Sequence, residues 1–103
     1  MWILQGAGDD GGRLTFRVSP GAIKTVGRAT QADFVLDAAL VSRLHCRLAA
    51  GAAEIEATDL KSTNGTYVNG ARVDRATLRD GDRLRVGAVE LLVMKPTGEP
   101  VQG

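Results

Sequence analysis

Apolar and polar positions alternate through several short stretches of the chain. Leu14, Phe16 and Val18 alternate with Thr15 and Arg17; Leu44, Cys46 and Leu48 alternate with His45 and Arg47; Ile55 and Ala57 alternate with Glu54, Glu56 and Thr58. A period of two puts successive side chains on opposite faces, so each stretch predicts a half-buried β-strand. The runs Trp2–Gln5, Ile23–Val26 and Val89–Met94 predict further strands, and Leu78, Leu84 and Val86 flank another break. Turn formers separate these stretches: Asp9-Asp10-Gly11-Gly12, Ser19-Pro20-Gly21, Gly51 and Asp80-Gly81. Short strands with Gly-centred turns indicate an all-β antiparallel sandwich or barrel.

One segment departs from this rhythm. Ala32, Val35, Leu36, Ala39 and Leu40 fall at helical spacing. The pattern leaves 30–40 open between a helix and a short strand, Phe34-Val35-Leu36, followed by a loop. The end of the chain, Lys95–Gly103, holds two of the three prolines and reads as a tail or linker after a domain spanning 1–94.

Composition narrows the field. A chain of 103 residues is one domain, burying roughly 65% of its unfolded surface, enough for a single core. Basic and acidic residues number 13 and 12, a net charge of +1. That balance argues against a nucleic-acid or anionic-membrane surface, which relies on a basic excess. A single cysteine forms no internal disulfide and suits a reducing, cytoplasmic compartment. No apolar run approaches the roughly 20 residues of a membrane span, and the start lacks a secretory signal.

The chemistry concentrates in Asp59–Gly70, which packs two Asn-Gly pairs among Ser62, Thr63 and Thr66. Asn-Gly tolerates positive φ at both positions and marks tight turns. The hydroxyls and amides are donors and acceptors suited to gripping something polar. Stretches 44–49 and 53–58 form a predicted hairpin, whose outer ends are neighbours. The loop Asp37–Arg43 therefore lies beside the loop Asp59–Thr66, and Arg28 stands at a strand tip.

Gly27-Arg28, Ser42-Arg43-Leu44-His45 and Ser62-Thr63-Asn64-Gly65-Thr66 followed by Asn69-Gly70 resemble the forkhead-associated (FHA) domain. The resemblance covers roughly residues 2–94. It implies an eleven-stranded two-sheet antiparallel β-sandwich whose loops at one end bind phosphothreonine peptides. It resolves 30–40 as a short strand plus loop. It assigns Arg28 to phosphate, Ser42 and Thr63 to phosphate through their hydroxyls, Arg43 to phosphate or peptide main chain, and Asn64 to the peptide backbone. It makes His45 a loop brace. Gly27 and Gly65 are read as backbone requirements, and Asn69 as a turn residue that also braces the site.

These residue types suit the ligand. Phosphothreonine carries about −1.5 to −2 charge and three strong acceptor oxygens. Arginine supplies a permanently charged planar donor fork, and an amide side chain both donates and accepts. The expected partner is a protein phosphorylated by a Ser/Thr kinase, bound by a monomeric domain without cofactor. The rival reading is a phosphate-independent docking or self-association module. Ser42, His45 and Asp59 are the residue types of a hydrolase triad. Ser42 lacks nucleophile-elbow glycines, however, so no enzymatic activity is expected. One Cys and one His do not make a zinc site. Cys46 is read as a small core residue.

Overall fold

The computed structural model describes residues 1–8 and 11–95. Asp9, Asp10 and nearly all of the expected tail lie outside the described residues. Among the described residues, eleven strands follow in order: β1 (Trp2–Ala7), β2 (Arg13–Val18), β3 (Ile23–Gly27), β4 (Phe34–Val35), β5 (Cys46–Ala50), β6 (Ile55–Asp59), β7 (Thr66–Val68), β8 (Ala71–Val73), β9 (Arg75–Leu78), β10 (Arg83–Val86) and β11 (Val89–Met94). They form a six-stranded sheet, β2-β1-β11-β10-β7-β8, and a five-stranded sheet, β4-β3-β5-β6-β9. The expected all-β two-sheet sandwich is therefore present. Its pairings are antiparallel except β3–β4, which run parallel with Val26 opposite Phe34.

The alternating stretches bury one face each. Trp2, Leu4, Val18, Val26, Leu48, Ile55, Leu84, Leu91 and Val93 fill the space between the sheets. Two contacts close one side. The Trp2 indole N–H donates to the Gly51 carbonyl at 2.8 Å, joining β1 to the β5–β6 turn. Phe16 on β2 stacks on Phe34 on β4, with centroids 4.7 Å apart. The opposite side ends in β8 on one sheet and β9 on the other.

No helix occurs among the described residues. Across 30–40, Ala32 and Leu36 are buried while Val35, Ala39 and Leu40 face solvent, so the helical spacing does not define one buried stripe. The extended form wins because backbone partners await it. The Leu36 amide donates to the Gly27 carbonyl at 2.8 Å, and the Thr25 amide donates to Asp33 Oδ2 at 2.8 Å.

The alternation expected through Leu44, Cys46 and Leu48 needs correction at its start. β5 begins at Cys46, Leu44 is 46% exposed and His45 is fully buried. Backbone partners on both ring nitrogens draw His45 inward. From Cys46 the alternation holds, and the β5–β6 register pairs Cys46 with Asp59 and Ala50 with Ile55. That hairpin sets the loop before β5 beside the loop after β6.

Candidate functional site

Three loops meet at one end of the sandwich: the segment after β3, the segment before β5 and the segment after β6. Gly27 makes the first approach possible. A Cβ there would collide with the Arg43 carbonyl oxygen, so only glycine lets β3 pass this close. The Arg28 amide then donates to the Ser42 carbonyl at 2.9 Å, and the Ala29 amide to the Arg43 carbonyl at 3.1 Å. Arg28, Ser42 and Arg43 are thereby fixed side by side.

Ser42 bonds to all three segments. Besides its carbonyl bond to Arg28, its amide donates to His45 Nδ1 at 3.0 Å, and its hydroxyl oxygen accepts the Thr63 amide at 3.0 Å. The hydroxyl proton remains available to a ligand. His45 Nε2 meets the Gly65 carbonyl at 2.8 Å. With the Ser42 amide donating to Nδ1, the proton on Nε2 is directed at the Gly65 carbonyl. The buried histidine thus joins the 42 loop to the 65 loop. Asn64 adds a second tie, donating from Nδ2 to the Leu40 carbonyl at 3.0 Å.

The loop after β6 is organised by Asp59. Its Oδ1 accepts the Ser62 hydroxyl at 2.6 Å and the Thr66 hydroxyl at 2.7 Å, while Oδ2 accepts the Ser62 amide at 3.1 Å. Ser62 Oγ in turn accepts the Gly65 amide at 2.9 Å. Burial pushes the Asp59 carboxyl up, but the bonds from Ser62 and Thr66 outweigh it and hold it below its ordinary 3.8. Lys61 at φ 58° and Gly65 at φ 89° turn the chain on either side. As a result Ser62 and Thr66 are buried, whereas Thr63 and Asn64 face outward.

Sequence reasoning assigned no such cluster to Asp59, Ser62 and Thr66. Its signal was a carboxylate followed by hydroxyls three and seven residues later, the spacing of a side-chain-capped turn. Gly87 was missed as well. It stands at φ 61°, and a Cβ there would lie 2.6 Å from the Leu40 carbonyl oxygen, so the β10–β11 turn backs the loop that carries Ser42.

Several residues are placed elsewhere. Asn69 and Gly70 have φ of 50° and 87°, as a two-residue hairpin turn between β7 and β8 requires. The Asn69 side chain accepts the Arg83 amide at 2.9 Å and donates to Asp82 at 3.1 Å. It braces the β9–β10 turn beyond the far end of β7, not the three loops. Ser42, His45 and Asp59 form no relay: the serine amide, not its hydroxyl, meets the ring, and Asp59 is engaged by Ser62 and Thr66. Cys46 is buried, and burial with the nearby Asp59 charge pushes its thiol up to about 12. Among the described residues, ion pairs join Arg75 to Glu56, Arg79 to Glu54 and Arg83 to Glu90. Arg28 and Arg43 are exposed and have no ion-pair partner among the described residues.

A sandwich with a rigid, donor-rich loop cluster at one end is the architecture of a peptide-binding module, with its contacts on loops held by a rigid scaffold. The family model for the FHA domain matches residues 24–87, which include all three loops. The chain belongs to the FHA domain family. It is 46% identical over 81 residues to the ABC transporter ATP-binding/permease protein Rv1747 of Mycobacterium tuberculosis, covering 79% of this chain and 9% of that protein. It is 40% identical over 82 residues to the glycogen accumulation regulator GarA of the same organism, covering 80% of this chain and 49% of that protein. The chain thus spans less than half the length of either relative. Among solved structures, the FhaA FHA domain complexed with the intracellular domain of Rv3910 superposes with a TM-score of 0.79 at 38% identity, over 90% of this chain and 99% of that one. An FHA structure from work on phosphothreonine-dependent FHA interactions gives 0.79 at 35%, over 91% and 97%.

Proposed function

We propose that the loop end of this sandwich binds phosphothreonine in a partner protein phosphorylated by a Ser/Thr kinase, and so recruits that partner. The observation that carries this reading is the position of Ser42. It is tied to Arg28, His45 and Thr63 at once, so a cation, two hydroxyls and an amide side chain are assembled before any ligand arrives. Arg28 donates its guanidinium fork to the phosphate. Ser42 and Thr63 each donate a hydroxyl proton. Arg43 lies against the phosphate or the adjoining main chain. Asn64 has spent one N–H on Leu40 and offers its carbonyl and remaining N–H to the peptide backbone.

Each charge-assisted bond contributes on the order of 1.5–3 kcal/mol. Ordering an extended peptide offsets much of that sum, which leaves micromolar affinity, about −8 kcal/mol. The module binds and does not catalyse. It acts inside the cell, where its kinase-phosphorylated partner resides. Calorimetry with Arg28→Ala tests the reading: affinity for a phosphothreonine peptide falls at least tenfold in a folded variant. Equal binding of phosphorylated and unphosphorylated peptides would replace it with phosphate-independent docking.

A further inference from the structure

The outer face of the six-stranded sheet carries an apolar centre between arginines. On the neighbouring strands β2, β1, β11 and β10, Phe16, Leu4, Leu91, Val93 and Leu84 turn to the core. Arg17, Ile3, Leu92, Met94 and Arg83 alternate with them and share the opposite face. Ile3 stands opposite Arg17 on one side and Met94 on the other. Leu92, on the same face of β11 as Met94, stands opposite Arg83. Leu92 is exposed, and Ile3 and Met94 are half-buried. They form one apolar strip, bordered by Arg17 on β2 and Arg83 on β10.

Charge and spacing select the partner. Among the described residues of these four strands, Arg13, Arg17, Arg83 and Arg85 are accompanied by one carboxylate, Glu90, while the whole chain carries only +1. Arg83 pairs with Glu90 at 3.3 Å with both side chains more than half exposed, a surface pair that opens at little cost. Arg17 has no ion-pair partner among the described residues. The outer face of the other sheet mixes Arg47, Glu56 and Arg75, with Arg75 paired to Glu56. Neighbouring strands lie about 4.8 Å apart, so the steps from β2 to β10 set Arg17 and Arg83 roughly 14 Å apart across the sheet. An α-helix with its side chains is about 10–12 Å across, and a helix laid on a sheet is a stable layer arrangement. A second copy of this face would set arginines against arginines. Arg85 already lies over the Tyr67 ring, 4.1 Å from its centroid, which leaves no vacant aromatic platform for a stacked base.

We propose that this face docks an amphipathic helix of a partner protein, with an apolar stripe and carboxylates on both of its flanks. The stripe rests on Ile3, Leu92 and Met94, and the flanking carboxylates meet the guanidinium groups of Arg17 and Arg83. An apolar centre with arginines at its border is the composition of a protein–protein interface. The strip lies away from the phosphothreonine loops. Thr66, Val86 and Val89 stand at the loop end of the sheet, and Ile3 and Met94 at the other. Docking here is therefore independent of the phosphothreonine reading.

The test is an amide chemical-shift titration of the isotope-labelled chain with three helical peptides. The first carries leucines on one stripe and glutamates on both flanks. The second replaces the glutamates by lysines, and the third keeps the glutamates but replaces the leucines by serines. In the wild type the first peptide shifts the amides of Ile3, Arg17, Arg83 and Leu92 saturably, and the other two bind at least tenfold more weakly. Arg17→Glu/Arg83→Glu reverses the order of the glutamate and lysine peptides while its melting temperature and its response to a phosphothreonine peptide stay those of the wild type. If that variant melts lower, Arg17→Gln/Arg83→Gln is measured in its place and loses the preference for glutamate. Absence of saturable shifts, shifts confined to the 28, 42 and 63 loops, or equal binding of the serine peptide overturns the proposal. So does a shift of the same amides with chain concentration alone, which names a second copy. Stronger binding at this face by duplex DNA or anionic vesicles than by the first peptide overturns it as well.

Discussion

The hydroxyl oxygen of Ser42 accepts the Thr63 amide proton at 3.0 Å, so two loops far apart in sequence share one hydrogen bond at the centre of the site. Beneath it, His45 joins the Ser42 amide to the Gly65 carbonyl. Replacing His45 by alanine leaves the Ser42 amide and the buried Gly65 carbonyl without this partner and opens a cavity. His45→Ala is expected to destabilise the chain by about 3 kcal/mol and to lower its melting temperature by roughly 15 °C, with weaker phosphopeptide binding. An unchanged melting curve would show that the clamp carries no strength.

Two glycines separate steric from conformational demands. Gly27 lies where any Cβ meets the Arg43 carbonyl, whereas Gly70 has open space but φ of 87°. Gly27→Ala must displace the loop bearing Ser42, so it costs stability and loses most phosphopeptide affinity. Gly70→Ala costs about 1 kcal/mol and leaves affinity intact, because its turn lies away from the loops. Denaturant titration and calorimetry on both variants distinguish these outcomes.

Acid sensitivity follows from Asp59. Its carboxyl is held below its ordinary 3.8 in the folded chain. A depressed folded value means the stabilisation is present above the unfolded value and is lost as pH falls through the folded one. The stability gap between wild type and Asp59→Asn should stay constant from pH 7 to about 5 and close below about 4. Denaturation series at each pH report it, and a gap that widened on acidification would contradict the assignment.

Cys46 is buried with its thiol pushed up to about 12. Because the thiolate is the nucleophile, iodoacetamide at pH 8 should leave the native chain unlabelled and label it fully in denaturant. Stoichiometric labelling of the native chain would place the thiol outside the core.

Much of this architecture is legible in the residues. Alternation at 14–18 and 54–58 marks two strands, and the hairpin argument alone sets the Ser42 loop against the Thr63 loop. What escapes is direction. Nothing in the order Ser62-Thr63-Asn64 says that the first hydroxyl turns in to Asp59 while the next two side chains face out. That follows from φ at Lys61 and Gly65. Strands of three or four residues such as β7, β8 and β9 are too short for a period to show. Asn69 finds its partner at Arg83, a pairing created only when β7 and β10 come together. Helical spacing at 32–40 misleads because Leu36 satisfies the free carbonyl of Gly27, a contact local pattern does not encode.

The most direct test of the central claim is calorimetric titration of the wild-type chain with one peptide in three forms: threonine, phosphoserine and phosphothreonine. Micromolar binding confined to the phosphothreonine form, weakening below about pH 6 as the phosphate takes up its second proton, is the expected result. Equal binding of the phosphorylated and unphosphorylated peptides would contradict it.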